Sequence, residues 1–217
     1  MTFLKELHLS QLFGISLCLI YRRKNRTVIN VGVVEEAFVD AYLKTFAKVI
    51  SIDPNVNQLQ KIDNFFKAND KTNTKHVIHG VALGSVTQDS VIYYYCVTEP
   101  GLSTTNKEDY DDMCNECPQL KWDIQNVKMY SLDDLYNDFY KLDLLKIDAE
   151  NADVDILLGA KNLIKNNLPA IQIEHDGDGV GFSILRSLGY IKVNPPFDTM
   201  NSYFVHKNDI HRERIRR

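Results

Sequence analysis

Three runs in this sequence end an apolar stretch on ionisable side chains. LDLLKIDAEN (residues 142–151) alternates Lys146, Asp148 and Glu150 with apolar residues, and AIQIEHD (residues 170–176) ends on Glu174, His175 and Asp176. VISIDPN (residues 49–55) ends on Asp53. If the first run is a strand, its period of two puts Lys146, Asp148 and Glu150 on one side. A lysine beside two carboxylates keeps all three charged while partly out of water, which is costly unless they pair. The cluster therefore reads either as a structural ion network or as a site. A carboxylate or imidazole in that position can take a proton from a hydroxyl. Asp148, Glu150 and His175 are the candidate catalytic residues, in that order. A histidine following a strand is also commonly a hydrogen-bonded turn residue. Asp148, Glu150 and Glu174 could hold magnesium if they converge, but pairing with Lys146 is the expected arrangement and no metal is assigned.

A second set of residues sits at the start of the alternating part of the chain. VINVGVVEE (residues 28–36) is an apolar run broken by Asn30 and closed by Gly32. Asp53 follows at the end of the next apolar run, where a carboxylate can accept both hydroxyls of a ribose. Asp53-Pro54-Asn55 is equally the composition of a helix cap or turn.

The elements that would hold these residues alternate from residue 27 onward. Strands are expected at 27–31, 49–52, 77–81, 91–97, 127–130, 142–147, 170–174, 190–193 and 203–206. Helices are expected at 35–47, 55–67, from Ser131 onward, 153–165 and 182–188. Residues 98–121 read as an acidic loop, a lid or insertion. This pattern implies an α/β fold, a Rossmann-like, doubly wound, mostly parallel sheet with helices on both faces. Ligands of such sheets bind beyond the carboxyl ends of the strands. The domain would span 27–207, with an apolar segment at 1–26 before it and a basic tail at 208–217 after it.

The chain of 217 residues has a formal net charge of −4, with its bases concentrated in YRRKNR (residues 21–26) and HRERIRR (residues 211–217). Two short basic clusters on an acidic chain argue against nucleic-acid binding, which needs a broad positive surface. LFGISLCLIY (residues 12–21) is shorter than the roughly 20 apolar residues that cross a bilayer. It also lacks the flanks of a secretory signal, so a cytoplasmic protein is expected, with contact at a membrane surface left open by the bases that follow. Four cysteines without an export signal fit a reducing compartment. CNEC (residues 114–117) has redox or zinc spacing, but its acidic surroundings would raise a thiol pKa and it lacks two further ligands. EHDGDGVGF (residues 174–182) superficially suggests a phosphate loop. Too short a helix follows it, so it reads as a flexible loop on the substrate side.

The ordered set of motifs resembles the FkbM-type methyltransferases, which use S-adenosylmethionine. TVINVG stands where that family has a strand ending in Asp-x-Gly-Ala-Asn-x-Gly, and VISIDPN is similar to its aromatic-acid-Pro-Asn turn. GVALGSVTQDSVIYYY, SLDDL, the Lys-Ile-Asp-x-Glu stretch, PAIQIEH and LRSLGY follow in the family's order. The resemblance implies a sheet of class I methyltransferase type and methyl transfer to a hydroxyl of a small molecule or glycan. It also implies that Asn30 and Gly32 face the methionine part of the cofactor, that Asp53 holds the ribose and that Ala82 and Leu83 border the adenine. Asp148 and Glu150 would lie nearest the transferred methyl group.

The chain departs from the family at the first turn, with Asn30 for the acid and Val33, Val34 and Glu36 in place of alanine, asparagine and glycine. Asn151 replaces the glycine after Glu150. Valine at positive φ would be strained, and Glu35 and Glu36 would repel the cofactor's carboxylate. Two readings follow. Either the loop takes another conformation and the cofactor binds with altered contacts, or the chain is a catalytically silent, methyltransferase-like binding or assembly protein.

Overall fold

The computed structural model describes residues 26–33, 42, 46–69, 75–138, 141–174, 179–193 and 201–208. The first half of the chain builds β1 (Thr27–Val31), β2 (Lys48–Ile52), α1 (Val56–Asn69), β3 (Lys75–His79), β4 (Ala82–Leu83) and β5 (Gln88–Cys96). A 3-10 turn (Pro100–Leu102), α2 (Lys107–Glu116), β6 (Trp122–Tyr130) and α3 (Leu132–Leu135) follow. The second half adds β7 (Leu144–Ile147), α4 (Asp153–Leu158), α5 (Lys161–Asn167), β8 (Ala170–Ile173), α6 (Val180–Ser187), β9 (Tyr190–Val193) and β10 (Ser202–His206).

Seven strands form one sheet in the order β3-β2-β1-β7-β8-β10-β9. Neighbours from β3 to β8 run parallel, and β10 runs antiparallel to both β8 and β9. The strand order reverses between β1 and β7, which is the switch point where doubly wound sheets open a crevice. The central strands β1, β7 and β8 are short and buried throughout because both faces of the sheet are covered. On one face Ile29, Ile50, Leu145 and Ile171 pack under α4, α5 and α6. On the other, Val28, Val49 and Leu144 pack with Leu59, Ile62 and Phe66 of α1.

The α1 face carries a polar row across four strands. Ser51, Asn30, Lys146 and Gln172 are register neighbours and all are buried. Burial of polar groups demands partners, and three of the four have them. Ser51 Oγ lies 3.0 Å from His76 Nε2, Gln172 donates to Asn201, and Lys146 Nζ reaches Asp148. His76 Nδ1 in turn meets Asp63 Oδ1 at 3.0 Å. This serine, histidine and acid resemble a catalytic triad in order only. Ser51 is 1% exposed, so the chain of bonds ties α1 to β3 and β2 and presents no nucleophile.

Several elements differ from the sequence expectation. The third strand spans 75–79 and not 77–81, and the sixth extends back to Trp122 to form a long antiparallel ribbon with β5. With β4, that ribbon makes a separate three-stranded sheet. Residues 98–121 are not a loop. They contain α2, which Asn106 caps by accepting from the Glu108 amide at 2.9 Å while Glu108 and Asp109 fill the first turn. Its acidic composition hid the helix, because stabilising charges at an N-terminus look in sequence like a solvated loop. Cys114 falls in α2 and Cys117 at its C-cap, both as free thiols. The expected helix 153–165 is broken into α4 and α5 at Gly159, where an added Cβ would meet the Gly84 carbonyl oxygen at 2.1 Å. The expected helix at 35–47 lies mainly outside the described residues, as do the segment 1–25 and the end of the tail.

Gly32 is the residue on which the switch point closes. Its φ is +73°, and a Cβ there would sit 1.5 Å from the backbone oxygen of Asp148. Left-handed backbone and a collision with main chain both exclude a side chain. Gly32→Ala is therefore expected to destabilise the fold by at least about 2 kcal/mol, read as a lower urea midpoint. An unchanged midpoint would contradict this packing.

Candidate functional site

At the carboxyl ends of β1 and β2, the backbone and one carboxylate are sewn together. The Gly32 amide donates to the Ile52 carbonyl at 3.1 Å. The Val33 amide donates to Asp53 Oδ2 at 2.9 Å, and the Asn55 amide donates to Asp53 Oδ1 at 2.7 Å. Burial pushes the Asp53 carboxyl up to about 6, the two amide hydrogen bonds pull against that shift, and the negative charge of Asp148 adds to it. Asp53 is thus held in one rotamer with lone pairs still available on both oxygens.

Val33 occupies this turn without strain, since Gly32 alone among the described residues of the turn has positive φ. Its side chain is buried in the α1-side core with Leu59 and Phe66, away from the crevice. The strain expected of a valine in this turn does not occur at Val33. Val34 and Glu36 lie outside the described residues.

The ionisable cluster assembles on β7 and β8. Lys146 Nζ contacts Asp148 Oδ2 at 2.7 Å, with the lysine buried. Beyond the strand the chain turns at residues 149–152, where the Ala152 amide donates to the Ala149 carbonyl at 3.0 Å and both central residues, Glu150 and Asn151, have positive φ. That is the signature of a type I′ turn, which favours glycine or asparagine. Asn151 in place of glycine is consequently a tolerated exchange. Buried Asp153 accepts from the Ala149 amide at 2.9 Å and fixes the turn. The turn brings the Glu150 carboxylate back toward the strand end. One carboxylate oxygen each from Asp148, Glu150 and Glu174 lies within 4.8 Å of the others.

Three carboxylates at that spacing cannot all ionise. The Glu174 carboxyl is pushed up to about 9, first by its hydrogen bond to Asp148, then by burial and by the charges of Asp148 and Glu150, with Lys146 opposing. At neutral pH Glu174 therefore holds a proton directed at Asp148, and Lys146 neutralises Asp148 from the other side. The same oxygens have the spacing to serve as ligands of a divalent cation, and the lysine supplies a positive charge at that place.

A crevice of about 590 Å³, its open mouth included, joins the two groups. That is the size of a small-molecule site. Gly32, Asp53, Ala82, Leu83, Asp148 and Glu150 all line it. Asn30 is not among the lining residues. It lies in the buried polar row, its Oδ1 without a hydrogen-bond partner. His175 lies outside the described residues. The crevice also has walls that the motifs did not suggest. Tyr93 of β5 and the segment around the 3-10 turn, from Pro100 to Thr105, close it from the small sheet. Burial and then the charge of Asp53 raise the Tyr93 phenol above its ordinary range. The signal available for Tyr93 was its place in VIYYYCV, a β-branched and aromatic run that marks a strand, in which Tyr93 and Tyr94 are both buried.

The sequence profile of the methyltransferase FkbM domain matches residues 30–191. The chain belongs to the FkbM methyltransferase family. Among solved structures, the FkbM methyltransferase from Methylobacillus flagellatus KT superposes with a TM-score of 0.54 at 17% identity, covering 84% of this chain and 44% of that one. The chain thus spans less than half the length of that relative. A ribosomal protein L11 methylase from Lactobacillus delbrueckii subsp. bulgaricus superposes at a TM-score of 0.49 and 10% identity, covering 91% and 77% of the two chains. The O-methyltransferase TomG from Streptomyces achromogenes, solved in complex with SAM, gives 0.43 and 10%, covering 89% and 79%. No curated protein matches the sequence. The fold of this FkbM chain is the class I methyltransferase sheet, with its switch-point crevice in the expected place. Among the described residues no helix is long and apolar enough to cross a membrane.

The lining suits a nucleoside bearing a cationic sulfonium. Ile52, Pro54, Val81 and Leu83 offer apolar surface, Asp53 offers a fixed acceptor, and the Asp148–Glu150 end is negative. No basic side chain lines the crevice among the described residues, whereas Ser103, Thr104 and Thr105 offer hydroxyls.

Glu174 binds its proton more tightly in the fold than in the unfolded chain, whose ordinary value is 4.5. Its contribution to stability is complete below that value and is lost as pH rises toward about 9. Asp53 acts in the same sense only up to about 6, and half-buried His76 and His79, shifted down from 6.5 by desolvation, act in the opposite sense only below that value. Between pH of about 7 and about 9, urea unfolding should therefore show stability falling with pH. Glu174→Gln should flatten that slope, and a slope that survives the substitution would contradict the shared proton.

Proposed function

We propose that this chain binds S-adenosylmethionine in the switch-point crevice and transfers its methyl group to a hydroxyl oxygen of a small molecule or sugar. The observation that carries this reading is the joining of Asp53, fixed by the Val33 and Asn55 amides, to the Lys146–Asp148–Glu174–Glu150 cluster by a single crevice. Membership in the FkbM family supports the class of reaction.

When bound, the cofactor supplies a methyl group on a sulfonium that is already a good leaving group. The protein's task is alignment, exclusion of water and management of one proton. Asp53 accepts the ribose hydroxyls with the lone pairs that Val33 and Asn55 leave. Ala82 and Leu83, buried at the end of the sheet, border the adenine with Ile52 and Pro54. Gly32 lets the main chain of β1 approach the Asp148 end without a side chain between them.

Asp148 is restrained by Lys146 on one side and by the Glu174 proton on the other. Glu150, on the turn, is the carboxylate placed to accept the acceptor hydroxyl's proton, with Asp148 as its electrostatic support. His175 follows Glu174 directly and is the third candidate for this role. The alternative of a silent binding protein rested partly on Val33, whose side chain is turned into the core.

Calorimetric titration of the folded chain should give saturable heat with S-adenosylmethionine and with S-adenosylhomocysteine. Asp53→Ala is expected to weaken both by at least about tenfold, the cost of losing hydrogen bonds to a charged acceptor. Glu150→Gln should leave binding intact and slow methyl transfer by about 100-fold or more. A folded chain that gives no heat at millimolar ligand would end the reading.

A further inference from the structure

A second cavity lies beside the crevice. It encloses about 760 Å³ with its mouth and shares Leu83, Thr104, Thr105, Glu150 and Ala152 with the first. Its remaining walls come from the turn after β4, the ribbon of β5 and β6, the segments leading into α2 and α4, and Asp155 in the first turn of α4. Glu150 is the hinge between the compartments. Its carboxylate belongs to the cluster with Asp148 and Glu174, while its residue also lines the outer cavity. A molecule held in the outer cavity therefore meets the proton-accepting end of the crevice along Glu150.

The lining chemistry defines what fits. Ser85, Gln88, Thr105, Asn106 and Asn151 offer hydroxyls and amides, and Asp155 adds a second carboxylate beside Glu150. No lysine, arginine, histidine or aromatic ring lines the cavity among the described residues. A phosphate or carboxylate on the ligand would meet two negative charges without a counter-charge. A flat aromatic ligand would find no stacking partner. A polyol would find donors and acceptors on several walls, with Val91 and Met129 available for its apolar face.

We infer that this cavity is the acceptor compartment, and that it takes a non-anionic, hydroxyl-rich molecule of the sugar class, neutral or bearing an amine. Its acceptor role rests on the methyl-transfer reading above, whereas its ligand class rests on the lining alone.

The test uses the full chain and three probes: methyl α-glucoside, glucosamine and glucose 6-phosphate, each followed by saturation-transfer NMR. The expected result is binding of the first two and none of the phosphate. Gln88 lines only the outer cavity and is exposed at the start of β5, so Gln88→Trp fills the space without touching the crevice. It should weaken both sugars by roughly tenfold or more while the affinity for S-adenosylhomocysteine stays unchanged, which also certifies the fold. Val91→Trp, on the same strand and lining the same cavity, should do the same. Preferential binding of glucose 6-phosphate, absence of binding by both sugars, or sugar binding that survives both tryptophan variants would overturn the proposal. A chain that binds the sugars but no S-adenosylhomocysteine would overturn the acceptor role and, separately, the methyltransferase reading. One that binds S-adenosylhomocysteine but neither sugar would overturn the cavity alone.

Discussion

The contact of Gly32 with the Asp148 backbone, together with the hydrogen bond from the Val33 amide to Asp53, holds three strand ends in one place. β1, β2 and β7 come from distant parts of the chain, and each brings a different piece of the crevice. Without a side chain at Gly32 the main chain of β1 can lie against β7. With Asp53 bonded to Val33, the carboxylate of β2 is fixed relative to both. The crevice is thus a consequence of how the sheet reverses direction, and its acids are oriented before any ligand arrives. Such preorganisation lowers the cost of binding, because few rotamers remain to be lost.

The same economy applies to charge. Four ionisable groups occur within one cluster, yet the arrangement carries its own neutralisation. Lys146 emerges from a buried row that runs across the sheet, so its ammonium is delivered to Asp148 by the strand itself. Glu174 keeps its proton because Asp148 and Glu150 are so close. What faces the crevice is then a negative end sustained by a buried positive one, suited to a sulfonium and to the removal of one proton.

Much of this was legible in the sequence because strands buried on both faces are short apolar runs, and their ends show as abrupt acids. Asp53, Asp148 and Glu150 could be assigned to one sheet edge on that ground alone. The convergence of Glu150 with Asp148 was anticipated for the wrong reason. Period two ends at Ile147, and a left-handed turn performs the rest. Asn30 shows the opposite failure: its place at a strand end suggested the crevice, but its parity assigns it to the α1 face with Ser51 and Gln172. The segment 98–121 read as a lid or insertion, but nothing in its composition assigned the stretch from Pro100 to Thr105, or Tyr93 of the strand before it, to the crevice. The closure of the site depends on the pairing of β5 with β6, a long-range contact without a local signature.

Amide hydrogen exchange with and without S-adenosylhomocysteine tests the central claim most directly. The account predicts slowed exchange confined to the ends of β1, β2 and β7, the segment 81–83 and the 100–105 wall. Protection that leaves those segments unchanged, or that falls chiefly on the α1 face, would contradict it.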